Sequence, residues 1–409
     1  MRIGVWYNVR AGGAKRALHD HVAGLLERGH QVEAWCPPTA DRTFLPLERL
    51  VPERVLPLAK DRPPWWAKGR FGLLRNPRAF NRALSAHCRA CAEEMEERSF
   101  DVHLIGTCQF VAAPPIGKYL HGPTVLYLQE PFRALYEPLP TLPWLAVPRP
   151  VTTRERLRYP GRSLLEPLRI HRRSQRARFE TDNARAFDQL LVNSLFSREN
   201  LLRIYGIEPK VCYLGVDTEV FRPTGAKRED MVLGVGTFFA AKNAGLLVEA
   251  VARLDPPRPR VEWISPGADE ESERALHEAA DRAEVELTIR RSADDQTLVD
   301  ALNRARALAY TPRLEPFGLV PLEANACELP VIGVSEGGVR ETVIDGVNGL
   351  LVEPTADELA SAIHRLMTDQ ALAARLGREG RRIVTERWTL DAAAERLEAA
   401  LEESLARGG

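Results

Sequence analysis

PRLEPFGLVPLEANACELPVIGVSEGGVRETVIDGVNGLLVEP, residues Pro312–Pro354, decides how the chain is read. Two carboxylates, Glu315 and Glu323, stand eight positions apart, and a Pro316-Phe317-Gly318 turn follows the first. An apolar helical segment starts near Leu319, with Pro321 in its first turn, where a missing N–H costs nothing. Pro330 stops it, and Val331–Val334 reads as a short buried strand. The helix entry presents unpaired backbone N–H groups and the positive end of a dipole, which favour an anion such as a diphosphate. Glu315, in the loop ahead of those donors, suits a hydroxylated ligand, and Glu323, about a turn inside, suits a ribose diol. Together they fit a nucleoside diphosphate carrying a sugar. Taken singly, Glu315 equally complements the helix end and Glu323 a solvated face.

Outward from this stretch, the chain alternates strands and helices. Ile3–Tyr7 reads as a first strand, followed by the loop Asn8–Arg16, a helix over Ala17–Arg28 and a second strand over Gln31–Cys36. This βαβ opening predicts a parallel, doubly wound sheet. The loop is neither a Walker P-loop nor a GxGxxG fingerprint, so Gly12-Gly13 alone is no more than a turn at a strand's C-terminal end, where open α/β sheets bind ligands. Further strands are expected at Asp101–Ile105, Thr124–Leu128, Leu190–Val192 and Val211–Leu214, with a short helix over Ser197–Tyr205. A second set follows: strands at Val232–Gly236, Val261–Ser265, Val285–Arg290 and Ala307–Tyr310, alternating with helices at Gly245–Leu254, Ser272–Ala283 and Asp295–Arg306. Thr355-x-x-Glu358 caps a helix over Ala356–Met367, and helices over Arg375–Val384 and Leu390–Leu405 close the chain.

The bulk numbers exclude several classes. A chain of 409 residues has room for two or three domains. Its formal net charge of zero gives no global attraction to nucleic acid. The start MRIGVWYNVRAGG lacks the apolar core of a signal peptide, and no apolar run reaches a membrane span. Six scattered cysteines predict a cytoplasmic setting. Cys88-x-x-Cys91 beside His87 lies in a helical pattern with no second ligand pair, so a zinc site is not expected. Two stretches mix basic with aromatic residues: Pro63–Arg78, and Arg149–Phe179 with ten arginines against two glutamates. Neither shows the terminators of a clean helix. They read as solvated insertions, or as a surface that docks at an anionic inner-membrane face or holds a polyanionic acceptor.

The Glu315–Glu323 spacing resembles the E-x7-E motif of the retaining enzymes of glycosyltransferase family 4, and Gly337-Gly338, Glu341 and Gly346…Gly349 resemble that family's C-terminal signature. LGVDTEVFRP, Leu214–Pro223, is similar to its interdomain crossing. The resemblance covers most of the chain and is weakest over 45–98 and 135–178. It implies a GT-B fold, two doubly wound Rossmann-like domains facing across a cleft: 1–205 for the acceptor, 206–385 for the donor, and 386–409 a helix packing back toward the first. It implies a glycosyltransferase that moves a sugar, with retention, from a UDP- or GDP-linked donor to an acceptor hydroxyl. By that resemblance Gly12, Gly13, Thr237, Lys242, Arg290, Glu315, Phe317, Gly318, Leu319 and Glu323 hold the donor. By it Glu315 and Lys242 also take part in catalysis and Gln129 faces the acceptor. From its own chemistry Glu130 is a candidate catalytic proton acceptor if burial raises its pKa, and Arg133, on the acceptor side, a partner for a phosphate or carboxylate, the alternative being a strand-end turn set by Pro131. Two positions depart from the family: Gln129 stands where many members carry a histidine, and Thr237 where an arginine is usual. A lone lysine gives a point charge without arginine's planar fork, so Arg16 or Arg313 is a candidate helper. With no DxD-type carboxylate pair, no metal is expected, and no lysine context suggests pyridoxal phosphate. The alternatives are a GT-B sugar-nucleotide epimerase and a non-catalytic sugar-nucleotide-binding protein.

Overall fold

The computed structural model describes residues 1–59, 77–137, 160–238, 240–267, 269–291 and 294–408. The chain divides into two compact units: Met1–Val192 with Arg198–Lys210 and Glu398–Gly409, and Asn193–Ser197 with Val211–Leu397.

The first unit is built on a seven-stranded sheet in the order β3-β2-β1-β4-β5-β6-β7. Its strands are β1 (Arg2–Asn8), β2 (Gln31–Cys36), β3 (Glu53–Val55), β4 (Val102–Cys108), β5 (Thr124–Tyr127), β6 (Gln189–Val192) and β7 (Lys210–Val211). Pairing is parallel from β3 through to β6. Ile3, Val5, Trp6 and Tyr7 are fully buried, so β1 is an unbroken apolar run of the kind a sheet covered on both faces requires. The chain runs outward from β1 to β3 and then restarts at β4 on the other side of β1. That reversal opens a crevice at the C-terminal ends of β1 and β4.

Helix α1 (Gly13–Glu27) starts four residues before the expected Ala17. Gly12, at φ 135°, is its cap, and its carbonyl accepts from Lys15 N and Arg16 N, so the glycine pair is itself the helix entry. The absence of a clean helix is also corrected for the second basic stretch. Helix α2 (Pro77–Glu96) follows the first, and after a single turn α3 (Arg133–Tyr136), helix α4 (Pro160–Ala184) occupies most of the second. α4 holds six arginines in sequence, which break up the apolar period, while Glu180, Asn183 and Ala184 are buried. Most of the aromatic-basic stretch from Pro63, and residues 149–159 of the second, lie outside the described residues. Cys88, Cys91 and His87 are buried on α2, where His87 Nε2 accepts from the Trp6 indole at 3.3 Å.

The second unit carries a six-stranded parallel sheet in the order β10-β9-β8-β11-β12-β13. The strands are β8 (Met231–Val235), β9 (Arg260–Ser265), β10 (Leu287–Arg291), β11 (Ala307–Tyr310), β12 (Val331–Val334) and β13 (Gly349–Val352). The expected strand over Val211–Leu214 shrinks to the end of β7. Helix α5 (Leu195–Tyr205) starts within the Asn193–Ser197 segment. α6 (Ala244–Ala252), α7 (Glu270–Arg282), α8 (Asp295–Arg304), α9 (Leu319–Ala326), α10 (Val339–Thr342), α11 (Ala356–Thr368), α12 (Gln370–Arg387) and α13 (Leu390–Gly408) follow in order. Here the order reverses between β8 and β11, so this unit's crevice opens where β8 and β11 end. The last part of α13 belongs to the first unit, where Glu398 pairs with Arg28 at 2.6 Å and His30 at 2.7 Å. No helix among the described residues is long and apolar enough to cross a membrane.

Candidate functional site

Past the end of β8 the chain makes a 3-10 turn, Ala240–Lys242, and past β11 it runs through Thr311–Pro316. These loops are stitched together: Arg313 N donates to Ala241 O at 2.7 Å, and Thr311 Oγ1 donates to Lys242 O at 2.9 Å. The result is a 2.7 Å ion pair between Lys242 Nζ and Glu315 Oε2, with side chains 24% and 14% exposed. The two residues expected to touch the phosphates and the sugar thus meet at the reversal point.

Glu315 is held from behind by backbone. Gly338 N donates to Glu315 O at 2.7 Å. A Cβ on Gly337, at φ 62°, would lie 2.3 Å from Glu315 O, and one on Gly338 would lie 2.2 Å from Pro316 O. Only glycines let this turn close on the loop. Glu336, which the sequence did not single out, accepts from Arg313 Nε at 2.7 Å and from Leu314 N at 3.3 Å. Arg313 is therefore committed to Glu336, and Arg16 stacks over the Phe44 ring at 5.5 Å.

Phe317 faces inward. Its ring is 2% exposed and packs against Trp388 and Tyr213 at centroid distances of 5.6 and 6.1 Å. It offers a ligand its backbone, not its ring. Gly318, at φ 105°, caps α9 without a side-chain hydrogen bond, and Pro321 has no N–H, so the amides of Leu319 and Val320 face the helix mouth. Glu323 is 4% exposed on α9, which corrects the solvated-face reading. The helix is fixed by Asn325, whose Nδ2 donates to Asn348 O at 3.0 Å and whose Oδ1 accepts from Asn348 Nδ2 at 2.9 Å. Glu341 anchors the other side by accepting from Leu195 N, Phe196 N and Tyr213 Oη at 2.8, 3.0 and 2.9 Å. Asn325 and Asn348 stand in apolar runs, a signal that could have marked them as buried hydrogen-bonding residues.

Thr237 is exposed just past β8. Arg290 pairs at 2.8 Å with the buried Glu262, which also faces Arg304 at 3.5 Å. That places Arg290 in an ion-pair network separate from Lys242 and Glu315.

In the first unit Gly12 and Gly13 form the uncapped entry of α1. Past β5, Arg133 Nε pairs with Glu137 at 2.5 Å and lies 3.7 Å from Glu130. Glu130 is 44% exposed, so the burial that a proton-accepting carboxylate would need is missing. Glu180, fully buried on α4, holds this loop: its carboxylate accepts from Phe132 N at 3.4 Å and from Ala112 N at 3.3 Å. Burial raises its pKa. Gln129 lines a small pocket with Thr107, Ala14 and His21.

Residues 11–220 match the model of Glycosyltransferase Family 4, and residues 216–383 match that of Glycosyl transferases group 1. Human Alpha-1,3/1,6-mannosyltransferase ALG2 is 28% identical over 237 residues, covering 51% of this chain and 57% of that protein. A D-inositol 3-phosphate glycosyltransferase of Kribbella flavida is 32% identical over 219 residues, covering 47% and 51%. The chain spans about half the length of these curated relatives. Among solved structures, a sucrose-phosphate synthase from Thermosynechococcus elongatus superimposes with a TM-score of 0.73 at 20% identity over 99% of both chains. Anabaena Alr3699/HepE in complex with UDP and glucose gives 0.67 at 18% identity over 98% of this chain and 99% of that one. At such identities the likeness is one of fold, and the fold is GT-B.

Proposed function

Because the chain belongs to Glycosyltransferase Family 4, we propose that it moves a sugar from a nucleoside diphosphate donor, UDP- or GDP-linked, to an acceptor hydroxyl with retention. The observation that carries this reading is the Lys242–Glu315 ion pair at the mouth of the uncapped helix α9. Anabaena Alr3699/HepE, of the same fold, was solved with UDP-glucose, which favours a uridine donor.

In this reading Lys242 and the amides of Leu319 and Val320 neutralise charge growing on the diphosphate as the C1–O bond to phosphate breaks. The acceptor oxygen bonds C1 from the same face, and its proton passes to the departing phosphate oxygen. Glu315 orients the sugar hydroxyls and Glu323 accepts from the ribose. Thr237, five positions before Lys242, replaces a fork of arginine donors with one hydroxyl, so the diphosphate leans more on the helix amides. Gly12 and Gly13 allow close backbone approach, and Gln129 and Arg133 face the acceptor. Glu130 is assigned no proton transfer, because it is exposed. Lysine supplies the positive charge, so turnover should be unchanged in EDTA.

A thermal-shift panel of UDP, GDP, ADP and their sugars tests the reading. A true donor at about 100 times its dissociation constant adds roughly 2.7 kcal/mol of stability. No response to any nucleotide would overturn it. Product analysis separates the alternatives: an epimerase returns an isomeric nucleotide sugar or free sugar, and a non-catalytic binder leaves the donor intact.

A further inference from the structure

We propose that His21 is the floor of a one-hydroxyl subsite in the first unit, which receives a hydroxyl of the acceptor and positions it. The proposal rests on the glycosyltransferase reading above, since it takes the first unit as the acceptor's side.

Helix α1 enters at Gly12-Gly13 and turns its Ala14, Leu18 and His21 toward β4 and β5. Between them lies a cavity of about 20 Å³, lined also by Val9, Gly106, Thr107 and Gln129. That volume holds one water or one hydroxyl and nothing larger. Its position is the crevice at the C-terminal ends of β1 and β4, where this sheet's order reverses. Ala14, Thr107 and Gln129 are half-buried, whereas His21 is 4% exposed. The pocket wall is therefore mostly apolar, with the buried imidazole among its few polar groups and Thr107 and Gln129 on its less buried side.

The imidazole is held edge-on to the Tyr127 ring at 4.8 Å, and its Nε2 is buried with no hydrogen-bond partner among the described residues. A buried polar atom left unsatisfied is destabilising, so its retention calls for an occupant. Burial lowers the His21 pKa to about 4, so the ring is neutral at physiological pH. A neutral imidazole nitrogen either donates or accepts, depending on tautomer. A hydroxyl can do both, so it satisfies Nε2 in either state. A phosphate or a carboxylate is too large for the cavity.

The test uses the full chain with ring-15N histidine, glycerol and myo-inositol as probes, and UDP as an independent check on the donor side. The His21 signal is identified by its loss in His21→Gln and His21→Phe. Expected is a saturable shift of that signal with both polyols, a polyol dissociation constant at least tenfold weaker in His21→Phe, and partial rescue in His21→Gln. UDP binding should be the same in all three proteins. An unmoved His21 signal alongside normal UDP binding would show that the pocket holds water only and overturn the proposal. Loss of UDP binding by the unsubstituted protein would instead strike the donor reading. Should His21→Phe fail to fold, the titration of the unsubstituted protein still decides.

Discussion

Replacing Glu315 by glutamine should tighten the binding of UDP while lowering sugar transfer. In the unliganded protein Lys242 is already neutralised by Glu315 at 2.7 Å. A diphosphate must share that lysine with the carboxylate and approach the carboxylate's own charge. Both side chains are less than a quarter exposed, so the pair lies near the upper end of the exposed-pair range, about 1 kcal/mol. Glu315→Gln keeps the shape and removes the charge, so UDP should bind about fivefold more tightly. Lys242→Met removes a charge-assisted contact of about 1.5–3 kcal/mol and should weaken UDP by roughly 10- to 150-fold. Isothermal titration at about 0.15 M salt reads both, and transfer assays read the loss of sugar orientation in Glu315→Gln. If Glu315→Gln weakens UDP as Lys242→Met does, Glu315 acts as a direct phosphate-side support and the competition argument is wrong.

Glu323→Ala should weaken donor binding by about 1.5–3 kcal/mol if the carboxylate meets the ribose, and an unchanged dissociation constant by calorimetry removes it from the site. Gly337→Ala combines a positive φ with a Cβ placed 2.3 Å from Glu315 O. The left-handed conformation alone costs about 1–2 kcal/mol, so both urea stability and UDP affinity should fall, whereas Gly225→Ala, with nothing within 4 Å, should pay only the first cost. Stability should also drop in mild acid. Below about pH 6.5 the unfolded chain protonates His21, but the folded chain does not until about pH 4. Between pH 7.5 and 5 this removes about 2 kcal/mol. Buried His87 and His103, also shifted down, act in the same direction, and Glu180, shifted up, acts against them. Urea midpoints at the two pH values should show a flatter slope in His21→Phe, and an equal slope would mean that His21 is solvated.

Much of this molecule was legible along the chain. The alternation of short buried runs such as Val331–Val334 and Ala307–Tyr310 with amphipathic helices determined two parallel α/β sheets, because a strand covered on both faces has to be apolar throughout. Gly318, Pro321 and the flanking glutamates marked the helix mouth, because local backbone chemistry sets where a helix starts. What periodicity could not report was long-range. α4 was hidden by an arginine-rich sequence in which no apolar stripe stands out. The inward turn of Phe317, the capture of Arg313 by Glu336 and the commitment of Arg290 to Glu262 depend on partners 20 or more residues away. Nor could spacing reveal that Lys242 and Glu315, 73 positions apart, would face one another, or that His21 would lie under Gln129. Residue types and local spacing determined which groups were available. Only the order of the strands, reversing between β8 and β11 and between β1 and β4, decided which of them meet, because a crevice in a parallel sheet exists only where neighbouring connections part to opposite sides.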